Sequence, residues 1–106
     1  MSVIIRDKES ETVLAEGQEM GKDVVNYEGN LYFDPAVVVK GVLQLTERTY
    51  TCPHKGTCHW VDYHGPDGKT VQDVAWVYDN PKPGHETIKD RFGFYAGDRG
   101  PTRQEG

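Results

Sequence analysis

Between Val42 and Tyr78, three runs of strand-forming residues are separated by two compact turn sequences, Pro53-His54-Lys55-Gly56 and Gly65-Pro66-Asp67-Gly68. Proline presets one turn dihedral and glycine accepts the positive φ that tight connections demand, so each tetrapeptide reverses the chain. Two reversals so close together exclude a long helix from the middle of the chain and predict a three-stranded antiparallel meander.

The same logic extends outward. Ser2 to Arg6 and Thr12 to Ala15 are apolar runs flanking a polar stretch, which predicts a first hairpin. Gly17 to Asp23 is expected to be loop. Val24 to Tyr27 and Leu31 to Phe33 flank Glu28-Gly29-Asn30, and form either two strands joined by a turn or one bent extended segment. Asp34-Pro35 has the form of a helix N-cap followed by proline, but Val37-Val38-Val39 and Gly41 limit any helix to a single turn. Asp79 to Gly84, with two prolines, is a loop, and a last strand is expected over Thr87 to Tyr95. Ala96 to Gly106 has no large apolar residue and is expected to be a mobile tail. The fold class that follows is all-β, a compact antiparallel two-sheet domain, tent-like or sandwich-like, over residues 1–95.

A chain of 106 residues holds one core of ordinary domain size. Seventeen acidic against twelve basic side chains give a formal charge of -5, and the basic residues are scattered singly, so nucleic acid is not an expected partner. No apolar run approaches the roughly 18 residues that span a bilayer, and the N-terminus lacks a basic segment followed by a long apolar one. A cytoplasmic location without membrane association is the expectation.

Placing Pro53 opposite Gly56 and Gly65 opposite Gly68 predicts the register of the meander. Tyr50, Cys52, Thr57, His59, Val74 and Trp76 then share one face, and Thr49, Thr51, Cys58, Trp60, Val71 and Ala75 share the other. Cys52 and Cys58 fall on opposite faces, which precludes a disulfide, and only an odd loop or a bulge would reunite them. Two free thiols fit a reducing compartment.

Thr51-Cys52-Pro53-His54-Lys55-Gly56 followed by Ala75-Trp76-Val77-Tyr78-Asp79-Asn80-Pro81 resembles the domain of unknown function 427 family. Tyr32-Phe33-Asp34-Pro35 and Arg91-Phe92-Gly93-Phe94-Tyr95 extend the resemblance over most of the chain. It implies a fold of two antiparallel sheets, sometimes described as a tent. A nucleotidyl-transfer label sometimes travels with the family. The chemistry would need paired carboxylates for magnesium and a glycine-rich phosphate cradle, and neither is present in the sequence.

The sharpest candidate site is a cleft bordered by Glu28, Arg48, Cys52, Lys55, His59, Trp76 and Tyr78, taking a small polar or aromatic ligand. A thiol near a lysine or histidine loses its proton more readily, which makes Cys52 a candidate nucleophile. The plainer alternative is that Cys52 and Trp76 are core, Lys55 is solvated and Glu28 is an exposed turn carboxylate. Cys52, His54, Cys58 and His59 are close in sequence, but alternation sends them to both faces, so no zinc site or other cofactor is expected. The competing function is an interaction module that holds a protein partner or a second copy of the chain by its sheet edges and exposed aromatics. A thiol-dependent enzyme is the third.

Overall fold

In a computed structural model, which describes residues 2–18 and 22–106, the chain forms nine strands and two single 3-10 turns. They are β1 (Ser2–Asp7), β2 (Val13–Gln18), β3 (Val24–Tyr27), β4 (Asn30–Phe33), a 3-10 turn at Pro35–Val37, β5 (Leu43–Cys52), β6 (Gly56–His64) and β7 (Thr70–Val77). A second 3-10 turn at Glu86–Ile88, β8 (Phe92–Phe94) and β9 (Thr102–Glu105) complete the order. The strands form two antiparallel sheets, one of order β2-β1-β9 and one of order β3-β4-β8-β7-β6-β5. Among the described residues, no helix is long and apolar enough to cross a membrane.

Local chemistry explains most element boundaries. The Asp34 carboxylate accepts the Ala36 N–H at 2.9 Å, capping the 3-10 turn that Pro35 begins. Glu28-Gly29-Asn30 is a true reversal: Glu28 and Gly29 take φ of 51° and 87°, and Tyr27 pairs with Asn30. The loop expected from Gly17 to Asp23 is in part strand, because β2 runs to Gln18, and in part falls on residues 19–21, outside the described residues. The strand expected over Thr87 to Tyr95 contracts to Phe92–Phe94, with Glu86–Ile88 wound into a turn that buries Ile88.

The sequence places the domain's end at Tyr95, whereas the structure continues the sheet beyond it. Thr102–Glu105 pairs with β1, the buried Thr102 hydroxyl donates to the Tyr95 carbonyl at 2.7 Å, and Lys8 N–H donates to the Pro101 carbonyl at 3.0 Å. Arg6–Glu105 and Arg103–Glu11 ion pairs flank the ladder. Backbone pairing and charge hold this segment, so the absence of large apolar side chains is no guide to its conformation.

The two sheets enclose one apolar core. Val3, Ile5 and Leu14 from the smaller sheet meet Phe33, Val61, Tyr63, Val74 and Phe94 from the larger. A second cluster, with Tyr32, Cys58, Tyr78 and Ile88 at its centre, lies apart from that core. By strand alternation its sheet residues sit on the outer face of the larger sheet.

The meander forms as expected, but its register does not. Cys52 pairs with Gly56, Tyr50 with Cys58, and Thr49 with His59, so the first connection has three residues, Pro53-His54-Lys55. Gly56, at φ 108°, makes this odd connection accessible. The second connection is also odd: Gly65 N–H donates to the Lys69 carbonyl, and the ladder resumes at His64 and Thr70. A bulge in β7 opposite Val61–Tyr63 then brings Trp60 opposite Trp76, and a second, between Leu45 and Thr49, shifts β5 against β6. Each odd loop exchanges one strand's two faces relative to the expected register. Cys52 and Cys58 therefore share a face, as do Trp60 and Trp76, and His59 moves to the other side.

Across the larger sheet, Trp76, Gly93 and Tyr32 stand in one transverse row. A Cβ on Gly93 would lie 2.6 Å from the Trp76 ring, so the indole rests directly over the glycine backbone. Gly93→Ala is expected to destabilise the domain by about 1–3 kcal/mol in urea unfolding, because the indole must leave its rotamer. Adding Trp76→Leu should recover part of that loss, and an additive double variant would contradict the packing argument.

Candidate functional site

The outer-face cluster is built by the odd first hairpin and by the segment that follows β7. Tyr78 pairs with Lys89 in a short parallel bridge, Asp90 N–H donates to the Tyr78 carbonyl, and Ile88 is sealed beneath. The proline-rich loop docks on the hairpin turn: Lys82 N–H donates to the Lys55 carbonyl at 2.8 Å, and Lys82 Nζ to the Pro53 carbonyl at 2.9 Å. These contacts cover part of the outer face and leave the rest open.

What remains open is a hollow of about 200 Å³. Trp76 is its centre. Its ring meets Tyr32 and Trp60 edge-to-face, with centroids 6.2 and 6.3 Å apart, and its Nε1–H donates to the Tyr32 hydroxyl at 3.3 Å. Cys58 and Tyr78 close one side, while Tyr50, more than half exposed, stands at the mouth. Larger hollows open beside Ala96 and Arg103, at about 540 Å³, beside Asn26 and Gln104, at about 320 Å³, beside Asp7 and Tyr63, at about 280 Å³, and beside Leu14 and Val38, at about 270 Å³, but none of these is lined by more than two aromatic rings.

Lys55 also lines the hollow. Its side chain is 14% exposed, and its ammonium lies 5.9 Å from the Tyr78 ring centroid and 3.6 Å from the Glu28 carboxylate, whose own side chain is 51% exposed. Among the described residues that line the hollow, Lys55 alone carries a charge at neutral pH.

Cys52 packs against the cluster from the end of β5. The backbone N–H groups of Lys55 and then His54 draw its thiol below the ordinary range, helped by the charge of Lys55 and opposed by partial burial and Glu28. Cys58 behaves oppositely: burial pushes its thiol up, offset in part by a hydrogen bond from the Tyr78 hydroxyl. Burial also raises the Tyr78 phenol well above its usual value. One face thus carries a thiol disposed to ionise and a second disposed to stay protonated.

Two residues expected in the cleft stand elsewhere. His59 is on the core side of the strand, where Nδ1–H donates to the Thr46 carbonyl at 3.0 Å and Nε2 lies 3.3 Å from the Asp79 carboxylate. The three-residue hairpin loop is the reason, since it reverses the expected parity of β6 relative to β5. Arg48 does not line the hollow. Its guanidinium bridges the largely buried Asp62 and Asp73, at 2.9 Å for the latter, and Asp73 N–H donates to Asp62 at 3.1 Å. This ionic node ties together the two bulged segments.

Glu28, Cys52, Lys55, Trp76 and Tyr78 are brought together. Sequence reasoning missed Asn30, Tyr32, Tyr50, Cys58 and Trp60. A signal for Tyr32 lay in Tyr32-Phe33-Asp34-Pro35, while Trp60 and Cys58 were assigned to the wrong face by the even-loop register. Among the described residues, no group of three or more His, Cys, Asp or Glu could hold a metal ion.

The shifts of the two thiols have opposite signs, which sets the order of their reactivity. Lowering the Cys52 value makes its thiolate available at lower pH, so alkylation by iodoacetamide should reach half its plateau rate at a lower pH than in the same chain unfolded in urea. Cys58 should label later in pH and more slowly. Peptide mass mapping after timed quenching separates the two, and a Cys52 midpoint at or above the unfolded value would contradict the assignment.

No curated protein matches significantly. The model of the domain of unknown function 427 (DUF427) family matches residues 11–104, which include the Cys-Pro-His-Lys-Gly hairpin and all of the terminal strand β9 but its last residue. The chain belongs to the DUF427 family.

Proposed function

We infer that the domain binds a small aromatic ligand in the hollow around Trp76. The observation that carries this reading is convergence: five aromatic side chains from four strands and the residue after β7 surround one open space, with a fixed lysine at its edge. Aromatic side chains in a small domain ordinarily complete a core, yet here the intersheet core is filled by other residues. An apolar cavity of about 150 Å³ accommodates benzene, so a hollow of this size suits one ring or a fused pair. Glu28, Cys52, Lys55, Trp76 and Tyr78 are the members of the original candidate set that belong to this reading. The unbridged thiols fit a reducing, cytoplasmic setting.

A second reading, docking of a protein partner, has one observation in its favour. β5 is ten residues long, lies at the edge of the larger sheet, and exposes Leu45 and Tyr50. The bulge between Leu45 and Thr49 opposes it, because an interrupted edge is a poor template for an added strand.

Thermal-shift screening against a metabolite library tests the first reading. A ligand present at a hundredfold its Kd stabilises the native state by about 2.7 kcal/mol. Aromatic hits should raise the midpoint of the native chain and lose at least fivefold in affinity with Tyr50→Ala, a rim substitution expected to leave the fold intact. Hits unaffected by both Tyr50→Ala and Trp76→Ala would place binding elsewhere and overturn the reading.

A further inference from the structure

We propose that the ligand is a planar ring bearing a carboxylate, with the ring against Trp76 and the carboxylate on the Lys55 ammonium, where it displaces Glu28; this rests on the hollow being the binding site. The argument begins with the asymmetry of the Glu28–Lys55 pair. Lys55 is held in place: its carbonyl accepts the Lys82 N–H, and its stem packs at the edge of the hollow until the side chain is 14% exposed. Glu28 sits on the tip of the β3–β4 turn with half of its side chain in solvent, and its carboxylate stops 3.6 Å from the ammonium. An ion pair with one partner in water is weak, so Glu28 is readily exchanged, while the mostly enclosed ammonium retains its need for an anion.

The lining specifies the sign and shape of the ligand. A cationic ligand in an aromatic box gains from the ring faces, but here it would stand beside Lys55, whose charge already lies over the Tyr78 ring. A carboxylate reverses that penalty. Among the residues that line the hollow, the side chains with nitrogen donors are those of Lys55, Asn30, Trp60 and Trp76, and the Trp76 indole already donates to Tyr32. That is few donors for a tetrahedral dianion, which ordinarily collects several backbone N–H groups or arginines. One planar anionic group matches one ammonium and one amide.

Three indole probes share a ring and differ in charge: indole-3-acetate, indole and tryptamine. Calorimetry on the full chain should rank them in that order, with indole-3-acetate at least tenfold tighter than tryptamine. Lys55→Met should collapse the ranking to within about threefold. Glu28→Gln, on an exposed turn, should tighten indole-3-acetate severalfold and leave indole unchanged, and it provides a readout should the Lys55 variant fold poorly. Tryptamine binding as tightly as indole-3-acetate, or an indole-3-acetate affinity unchanged by Glu28→Gln, would overturn the anion assignment while leaving the hollow intact. Binding of all three probes undiminished by Tyr50→Ala and Trp76→Ala, or no binding by any, would instead remove the hollow reading and this inference with it.

Discussion

The parity of two hairpin loops governs the arrangement of this domain. Side chains alternate along a strand, so adding one residue to a connection exchanges the two faces of the strand that follows. Gly56, at φ 108°, allows Cys52 to pair with Gly56 across a three-residue connection, and the second loop is odd as well. Because both loops are odd, the two tryptophans meet and the two cysteines share a face. The intersheet core, the outer cluster and the aromatic hollow all follow from that parity.

A larger sheet with apolar residues on both faces needs cover on both. The inner face has the three-stranded sheet, and the outer face has the segment from Tyr78 to Arg91, fastened by the bridge to Lys89 and by the docking of Lys82 on the hairpin turn. This cover is narrower than the sheet. The uncovered part is where Trp76 lies against Gly93, a close approach that only a residue without Cβ permits. The hollow is therefore the part of the outer face that this segment leaves uncovered.

Charge is distributed in two ways around this face. Arg48, Asp62 and Asp73 form a closed node in which a largely buried carboxylate is matched by a guanidinium and a backbone N–H. Its contribution is to hold two bulges in place, and it leaves little free charge. Lys55 and Glu28 are matched loosely, with one partner enclosed and the other in water. The first arrangement is structural, while the second leaves a charge open to a ligand.

The sequence by itself determined the all-β class, both meander turns and the capped turn after Asp34, because these depend on residues close together in the chain, and it placed Cys52 and Trp76 on one face because two odd loops cancel between β5 and β7. It could not determine the parity of the hairpins. Two- and three-residue connections can be drawn from the same proline and glycine residues, and the three-residue one found here has Gly56 at φ 108° paired with Cys52. Loop parity carries His59 away from the cleft, the β5 bulge between Leu45 and Thr49 and the Asp62 and Asp73 carboxylates hold Arg48 away from it, and the tail is held by backbone pairing with β1. Tyr32, Tyr50 and Trp60 joined the site only in three dimensions, since cross-strand neighbours are fixed by a register that no local pattern records.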